Sequence, residues 1–389
     1  MNYTPEQIRF FKQFLMEDTN QVLAIRDSAD GVIAMAFMRA FTNDRTFVKN
    51  RIVGKYGELS NSLNIRINAG LKQNERILVI GHWINTETAE MVDKLNKQSL
   101  ESGNGYKIVF VNSTPHPELY NKYTWCICDT EQAANASIIL DILTHVVKSV
   151  TKKSLPHTAL RFGYNPDSIN CANELCRVAA AISMNDTTSI AGKLGVQLTA
   201  LLNVVNRYML VELVQNIMLA IVKGQVFANL TEVTNSNYNV FGYVLPKNFE
   251  EAYQESLTGC NVIANNMDRV AVKCDFDDIS AHFDKPVTTY LVVGISGAET
   301  LPPATVWMDR HPDCDILAVW NPFHATMLTL RSRTLDIHKV VYKDSMARSS
   351  YGKSKTFVRV NFKPDAMVLS GNILGKTCGF TGEFIDQEE

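Results

Sequence analysis

Residues 21–36 of this chain read QVLAIRDSADGVIAMA and join a short strand pattern to an apolar helix pattern. The first five residues are mostly apolar and partly β-branched, which is typical of a buried strand. Asp30-Gly31 then begins a helix in which Ala34 and Ala36 allow close packing. A polar loop between a buried strand and an apolar helix is typical of an α/β protein with a parallel sheet.

The same alternation continues through the N-terminal half. Strands are predicted over residues 76–80 and 107–111, with a helix over residues 86–100 between them and Thr86 as its cap. Strands this apolar are buried on both faces, as in parallel sheets that helices cover. One long apolar helix is predicted over residues 198–223, as a connector between two lobes.

The C-terminal part is β-rich, with strand patterns over residues 288–294, 315–320, 327–331 and 356–362. The sequence therefore predicts an α/β protein in which a long helix joins a parallel-sheet N-terminal lobe to a smaller α+β C-terminal domain. The predicted segments are an α/β domain with its connector helix, a linker with helices, and the C-terminal domain, at residues 1–225, 226–285 and 286–389.

The composition describes a globular protein. The 389 residues include 38 Lys+Arg and 40 Asp+Glu, and 46% of them are hydrophobic. This excludes a disordered or collagenous chain, and the near-balanced charge argues against a surface that binds nucleic acid or membrane as a whole. Any nucleic-acid partner is therefore expected to bind a local patch.

Cysteine spacing and hydropathy indicate the compartment. The 8 cysteines are scattered without the spacing of a zinc site, so we predict buried, reduced thiols. The longest apolar stretch, residues 208–222, is interrupted by polar residues and is shorter than the roughly 20 residues that span a bilayer. The first residues lack a signal-peptide pattern. We expect a cytoplasmic location and no membrane partner.

Loops that follow the predicted strands are the first candidates for a site, because ligands of open α/β sheets bind beyond the carboxyl ends of the strands. Three loops qualify, at residues 26–31, 81–83 and 112–116. A fourth candidate is Asp186, in the stretch SMNDTT at residues 183–188. A helix cap is the competing interpretation of Asp186, since Asp accepts hydrogen bonds from unpaired N–H groups there.

The order of these motifs resembles the DHH phosphoesterase superfamily, the RecJ-like exonucleases and nano-RNases that degrade short oligonucleotides and cyclic dinucleotides. Asp30-Gly31 before the Ala-rich helix looks like the first motif of that family. Residues 111–114, VNST, stand where the family has Asp-His-His, and residues 118–125, ELYNKYTW, resemble the stretch after it. Residues 328–333, LTLRSR, look like the DHH-associated substrate-binding domain.

The resemblance implies a pair of divalent metals, typically manganese, held by Asp and His, which activate water for phosphodiester cleavage. In the first three motifs only Asp30 is a strong ligand of that type, and Arg26 places a positive charge where a dication would lie. We therefore predict a DHH-like fold that has lost its two-metal centre and has no cofactor. The vestigial motif positions are Arg26, Ser28, Asp30, His82, Asn112, Ser113, Thr114 and, as the fourth ligand, Asp186.

A phosphate-binding role is predicted for the C-terminal domain. Arg331 and Arg333 alternate along a predicted strand and would share one face, with Ser332 on the other. A planar guanidinium suits phosphate, although exposed strand residues in weak ion pairs are the alternative. A basic stretch at residues 339–355 could contact nucleic acid or could simply be solvated. The predicted ligand-binding residues are Arg331, Ser332, Arg333 and, from a partial glycine-rich loop, Gly375, Lys376 and Thr377.

Three functions stay open. The first is an inactive DHH-like protein that binds a nucleotide, a short single-stranded oligonucleotide or a protein partner. The second is an active phosphodiesterase that holds manganese or magnesium in a rebuilt site. The third is an assembly subunit that uses the fold as a scaffold, and the apolar helix at residues 198–223 is also compatible with a homodimer. The rebuilt site would draw on Asp27, Asp30, His82, His116 and Asp186.

Overall fold

The structure is a computed structural model, and its contacts divide the chain into two compact units. Unit 1 combines Met1–Ala180 with Leu201–Glu250, and unit 2 combines Ala181–Ala200 with Glu251–Glu389. The domain boundaries given above stay a prediction. The residues that the structure describes are 3–17, 20–25, 28–41, 52–54, 58–82, 84–114, 119, 122–149, 165–224, 247–275, 283, 285–320, 327–337 and 354–361.

The sheet of unit 1 is parallel, which confirms the prediction for the N-terminal lobe. Its strands lie in the order β2-β1-β3-β4-β5, and each neighbouring pair is parallel. Every residue of β3 and β4 is buried, as their continuous apolar runs predict. The strands are β1 (Gln21–Ile25), β2 (Ile52–Gly54), β3 (Ile77–Ile80), β4 (Ile108–Asn112) and β5 (Cys126–Cys128).

Helix α2 is the central helix of unit 1. All of its residues are buried, Arg39 included, and it packs against β1 and against the helices over Asn135–Ser149 and Arg207–Lys223. The helices of this unit are α1 (Pro5–Met16), α2 (Ala29–Phe41), α3 (Glu58–Ala69), α4 (Thr86–Glu101), α5 (Asn135–Ser149), α6 (Pro166–Ser183), whose last residues lie in unit 2, and α8 (Arg207–Lys223).

Local caps explain where two of these helices begin. Thr4 and Gln7 form a reciprocal capping box at the start of α1. At the start of α4, the side chain of Asn85 accepts a hydrogen bond from the backbone N–H of Thr88 at 2.9 Å. The cap of α4 is therefore Asn85, one residue before the Thr86 that the sequence pattern suggests.

The prediction of a single connector helix over residues 198–223 is wrong. Helix α7 (Ile190–Leu202) ends within this range, and a separate helix, α8, begins at Arg207. Asn206 makes the break, because its side chain accepts hydrogen bonds from the N–H groups of Tyr208 and Met209 and so caps a new helix. Most of α7 lies in unit 2, whereas α8 lies in unit 1.

Unit 2 contains a mixed sheet, in agreement with the predicted α+β class. The strand order is β10-β9-β8-β7-β6, in which β7 and β8 are parallel and the other neighbours are antiparallel. Its remaining elements are β6 (Val272–Asp275), β7 (Thr288–Val293), β8 (Ile316–Trp320), β9 (Met327–Ser332), β10 (Phe357–Asn361), α9 (Lys247–Val270) and α10 (Leu301–Arg310).

Helices α9 and α10 cover one face of that sheet. Met267 and Trp307 are fully buried there, against Val292 and Leu317 of the strands. Six of the cysteines are free thiols: Cys126, Cys171, Cys260 and Cys314 are buried, as predicted, whereas Cys128 and Cys176 are partly exposed. Burial raises the pKa of Cys171 to about 12. Within the described ranges, no helix is both long enough and apolar enough to cross a bilayer.

Candidate functional site

The carboxyl ends of β1, β3 and β4 place three of the predicted loops at one edge of the unit 1 sheet. These strands are parallel neighbours, so their following loops converge. Gly81 follows β3 with φ 68°, a left-handed conformation that favours glycine, and its N–H donates to the carbonyl of Val111 at 2.9 Å. Ser28 precedes α2 and accepts from the N–H of Gly31 at 3.4 Å.

Asp30 caps a helix other than its own. Its Oδ1 accepts a hydrogen bond from the N–H of Ala136 at 2.7 Å, and its Oδ2 accepts from the N–H of Asn135 at 2.9 Å. Both donors belong to the first turn of α5, where a carboxylate also complements the helix dipole. Burial raises the pKa of Asp30, and these hydrogen bonds oppose that rise. The one strong family-type ligand of the first motifs is thus committed to protein N–H groups.

Asn135 is the residue that sequence reasoning missed. Its Nδ2 donates to Oδ2 of Asp30 at 2.7 Å, and its Oδ1 accepts from the N–H of Ser113 at 2.7 Å. Two of the predicted motif positions, Asp30 and Ser113, are therefore brought together through this amide. An Asn at the start of a helix pattern was the available signal, but its partner Asp30 is 105 residues away in sequence.

The segment that replaces the family's Asp-His-His forms a turn. Oδ1 of Asn112 accepts from the N–H of Thr114 at 3.0 Å, and both Asn112 and Ser113 are buried. An amide and two hydroxyls carry no negative charge, and dications prefer carboxylate or imidazole ligands in such a site. This segment therefore supplies backbone geometry and no anionic ligand.

His82 lies just beyond β3 and is buried. Burial lowers its pKa, and a hydrogen bond with the backbone of Ala24 opposes that shift. The imidazole is therefore expected to be neutral at pH 7 and to face the neighbouring strand β1. Arg26, Asp27 and His116 lie outside the described residues.

The described donors at this edge do not fit the metal pair that the resemblance implies. Across the described residues, no three His, Cys, Asp or Glu side chains form a group that could hold a metal ion. Asp30 already accepts three hydrogen bonds, two of them from backbone N–H groups at the start of α5. Its carboxylate is therefore largely occupied by protein donors.

Asp186 lies in unit 2 and organises the turn before α7. Its Oδ1 accepts from the N–H groups of Thr188 at 2.9 Å and Ser189 at 3.0 Å. At Gly192 an added Cβ would lie 2.1 Å from the carbonyl oxygen of Asp186, so the turn and the helix pack closely. Although desolvation raises the pKa of Asp186, the hydrogen bonds from Ser189 and Thr188 outweigh it and lower the pKa. Asp186 therefore forms a turn ahead of the helix, and the cap of α7 is Ser189, whose Oγ accepts a hydrogen bond from the N–H of Gly192 at 3.0 Å.

The depressed pKa of Asp186 makes its contribution pH-dependent. We expect Asp186→Ala to lower the free energy of unfolding by about 1 kcal/mol at pH 7, because the turn before α7 loses two backbone hydrogen bonds. Because the folded pKa lies below the unfolded value of about 3.9, this contribution is present above that value and disappears as the pH falls through the folded pKa. Urea unfolding of wild type and variant at pH 7 and pH 2.5 measures it. The exposed Asp309→Ala is the control, and an Asp186→Ala loss that is equal at both pH values would contradict the assignment.

Arg331 is buried in unit 2, where it contacts Asn185, Glu299 and Phe357. One guanidinium nitrogen donates to Oδ1 of Asn185, and the other donates to the carbonyl of Glu299 at 3.0 Å. The guanidinium carbon lies 4.3 Å from the ring centroid of Phe357. Asn185 has φ 55°, so its left-handed turn directs an amide towards β9 and β10, where it also donates to Thr356. Arg331 thus joins this turn to two strands.

Arg333 does not continue the strand. Strand β9 ends at Ser332, whose Oγ accepts from the N–H of Leu335 at 3.0 Å and so forms a turn. Arg333 follows it and donates to the carbonyl of Met308, at the end of α10, where it also lies 3.6 Å from Asp309. Since the strand alternation stops at Ser332, the prediction that both arginines share a strand face is wrong. Outside the described residues lie Gly375, Lys376, Thr377 and most of the basic stretch at 339–355.

The phosphate role of these arginines stays a prediction. Of the two, Arg333 is the more accessible, with 24% of its side chain exposed, whereas Arg331 has 6% relative exposure. A phosphate from solution would reach Arg333 more readily. The structure therefore separates two residues that the sequence pattern treats as a pair.

No protein-family model and no curated protein matches this chain. Three solved structures resemble it over most of its length. An uncharacterized Helicobacter pylori protein is 17% identical, with coverage of 90% of this chain and 95% of the other and a TM-score of 0.38. The DHH domain of a member of the S1p family of ribosomal proteins is 10% identical, with coverage of 92% and 84% and a TM-score of 0.47. RecJ from Thermus thermophilus, in complex with Mn²⁺, is 10% identical, with coverage of 93% and 53% and a TM-score of 0.40.

Proposed function

We propose that this chain is a catalytically degenerate DHH-like protein that acts by binding, without cutting a phosphodiester. The bound molecule would be a nucleotide, a short oligonucleotide or a protein partner. The observation that carries the proposal is the carboxylate of Asp30, whose two oxygens accept hydrogen bonds from Asn135 and Ala136. A carboxylate used in this way is a structural cap.

The chemistry of the neighbouring groups supports the loss of hydrolysis. Two-metal cleavage needs anionic or imidazole ligands to hold the metals, which in turn stabilise both the attacking and the leaving oxygen. Asn112 and Ser113 offer a neutral amide and a hydroxyl instead, and Asn112 and the backbone N–H of Ser113 already form hydrogen bonds within the protein. If Asp30 turned away from α5 towards a metal, each buried N–H group left without a partner would cost about 1–3 kcal/mol.

A scaffold role is the second candidate, and the arginine contacts favour it. Arg331 donates to Asn185 and Glu299, and Arg333 donates to Met308. Guanidinium groups held by their own protein have fewer N–H groups to offer a phosphate. In a scaffold these contacts would stabilise unit 2, and a protein partner would bind elsewhere on the chain.

A combined assay of hydrolysis, binding and metal content tests the proposal. Purified protein is incubated with short RNA, short DNA and cyclic dinucleotides in the presence of MnCl₂ or MgCl₂, and binding of the same molecules is measured. We expect binding without turnover and without bound manganese. Manganese-dependent turnover would overturn the proposal in favour of an active phosphodiesterase. Absence of both turnover and binding would replace it with the scaffold role.

Arg333→Ala refines the binding measurement. If phosphate contacts this side chain, the variant should bind oligonucleotide more weakly and its salt dependence should flatten, with a slope reduced by about one. Lys285→Ala is a matched control, because Lys285 is also a half-exposed cation of unit 2, 3.2 Å from Asp315. Equal binding by both variants would exclude a phosphate site at Arg333.

A further inference from the structure

The structure assigns a bridging role to Asn135. Its side chain holds together, without a metal, the segments at the carboxyl ends of the strands in the unit 1 sheet. This inference rests on the proposed loss of the two-metal centre and deepens it. We call the three residues Asp30, Asn135 and Ser113 the amide bridge. Through it, one side chain joins the start of α2, the loop after β4 and the start of α5.

The geometry gives each end of the amide a separate task. Its nitrogen donates to Oδ2 of Asp30 at 2.7 Å, while its oxygen accepts from the N–H of Ser113 at 2.7 Å. The backbone N–H of Asn135 donates to the same Asp30 oxygen at 2.9 Å. The bridge therefore needs a donor and an acceptor on one short side chain, which an amide provides and an ionised carboxylate does not.

Burial makes this requirement strict. Asp30 and Ser113 each have 5% relative exposure, so water is poorly placed to replace a lost partner. In a two-metal site, a dication attracts carboxylates from separate loops to one point. In this protein the amide nitrogen of Asn135 donates a hydrogen bond to the carboxylate of Asp30, and the amide oxygen of Asn135 accepts one from the backbone N–H of Ser113. Asn135 is accordingly a positioning residue in this fold.

Asn135→Asp is the sharpest test, since it keeps the shape and exchanges the donor for an oxygen that faces Asp30. The matched control is Asn85→Asp, which adds the same charge at the start of α4. The side chain of Asn85 accepts a hydrogen bond from the N–H of Thr88, and Asp performs that task equally well. We expect the midpoint of thermal unfolding at pH 7 to fall by about 5 °C in Asn135→Asp and to stay within about 1 °C of wild type in Asn85→Asp.

Hydrogen exchange gives a second, local measurement. In Asn135→Ala the N–H of Ser113 loses its acceptor, and we expect it to exchange roughly tenfold faster than in wild type. The N–H of Lys107, which donates to the buried Asn96 at 2.8 Å in the same unit, is the internal reference and should not change. Unchanged exchange at Ser113, or equal melting of Asn135→Asp and Asn85→Asp, would overturn the bridge.

Failure of the bridge and failure of the proposed function give different results. If the bridge is metal-free, wild-type protein should melt at the same temperature in EDTA and in MnCl₂. A rise in MnCl₂ together with turnover would overturn the proposed function and the bridge. Equal melting of the two Asp variants without turnover would overturn the bridge alone.

Discussion

Arg331→Ala is expected to lower the free energy of unfolding by about 4 kcal/mol. The substitution removes a charged donor from Oδ1 of Asn185 and from the carbonyl of Glu299. Hydrogen bonds to charged groups contribute about 1.5–3 kcal/mol each, and a buried acceptor without a partner adds its desolvation cost. The guanidinium also contributes about 1 kcal/mol through its contact with the ring of Phe357.

Arg333→Ala provides the comparison, because the two arginines are neighbours in the same sequence motif. Its guanidinium lies near the carboxyl end of α10 and is partly exposed, so we expect a loss of about 1 kcal/mol. Urea unfolding monitored by circular dichroism measures both variants. Losses of similar size for the two would contradict the structural role of Arg331. A stable Arg331→Ala protein with impaired oligonucleotide binding would instead support a direct phosphate contact.

Asp30→Ala is expected to destabilise the protein by about 3 kcal/mol. The variant removes the acceptor of two backbone N–H groups at the start of α5 and of the amide of Asn135. A buried, unsatisfied N–H group costs about 1–3 kcal/mol, and the favourable interaction of the carboxylate with the helix dipole is also lost. Unfolding in urea at pH 7 measures the effect.

Asp30→Asn is the size-matched control for that variant. It keeps one acceptor oxygen, so we expect a loss of roughly half as much. Comparable stability of wild type and Asp30→Ala would show that the cap contributes nothing. Measurable turnover in the wild type that both variants abolish while they remain folded would return Asp30 to a catalytic role.

The parallel sheet could be predicted because its signal is local. Strands β3 and β4 are continuous apolar runs, and burial on both faces requires such runs. The break between α7 and α8 was missed because Asn206 stands within a largely apolar stretch. In such a stretch, an Asn inside a helix and an Asn that caps a new helix look the same in the sequence. They differ in which backbone N–H groups donate hydrogen bonds to the side chain.

The candidate site was less predictable because its contacts are remote in sequence. The motif comparison located Asp30, Asn112 and Ser113, and the loss of the family's metal ligands stays a prediction. The comparison could not supply Asn135, whose partners are 22 and 105 residues away, nor the contact between Arg331 and Asn185, which are 146 residues apart. The alternating pattern of a strand also predicted the same role for Arg331 and Arg333. The structure separates the two residues by the turn at Ser332.

The chain passes between the units three times, at residues 180, 200 and 250. A cut near residue 180 deprives unit 1 of the segment that contains α8, and a cut near residue 250 deprives unit 2 of the segment that contains Asn185. No single cut therefore leaves both units whole. During synthesis on the ribosome, Asn185 emerges long before Arg331, so the turn before α7 must wait for most of the remaining chain before its buried partner arrives.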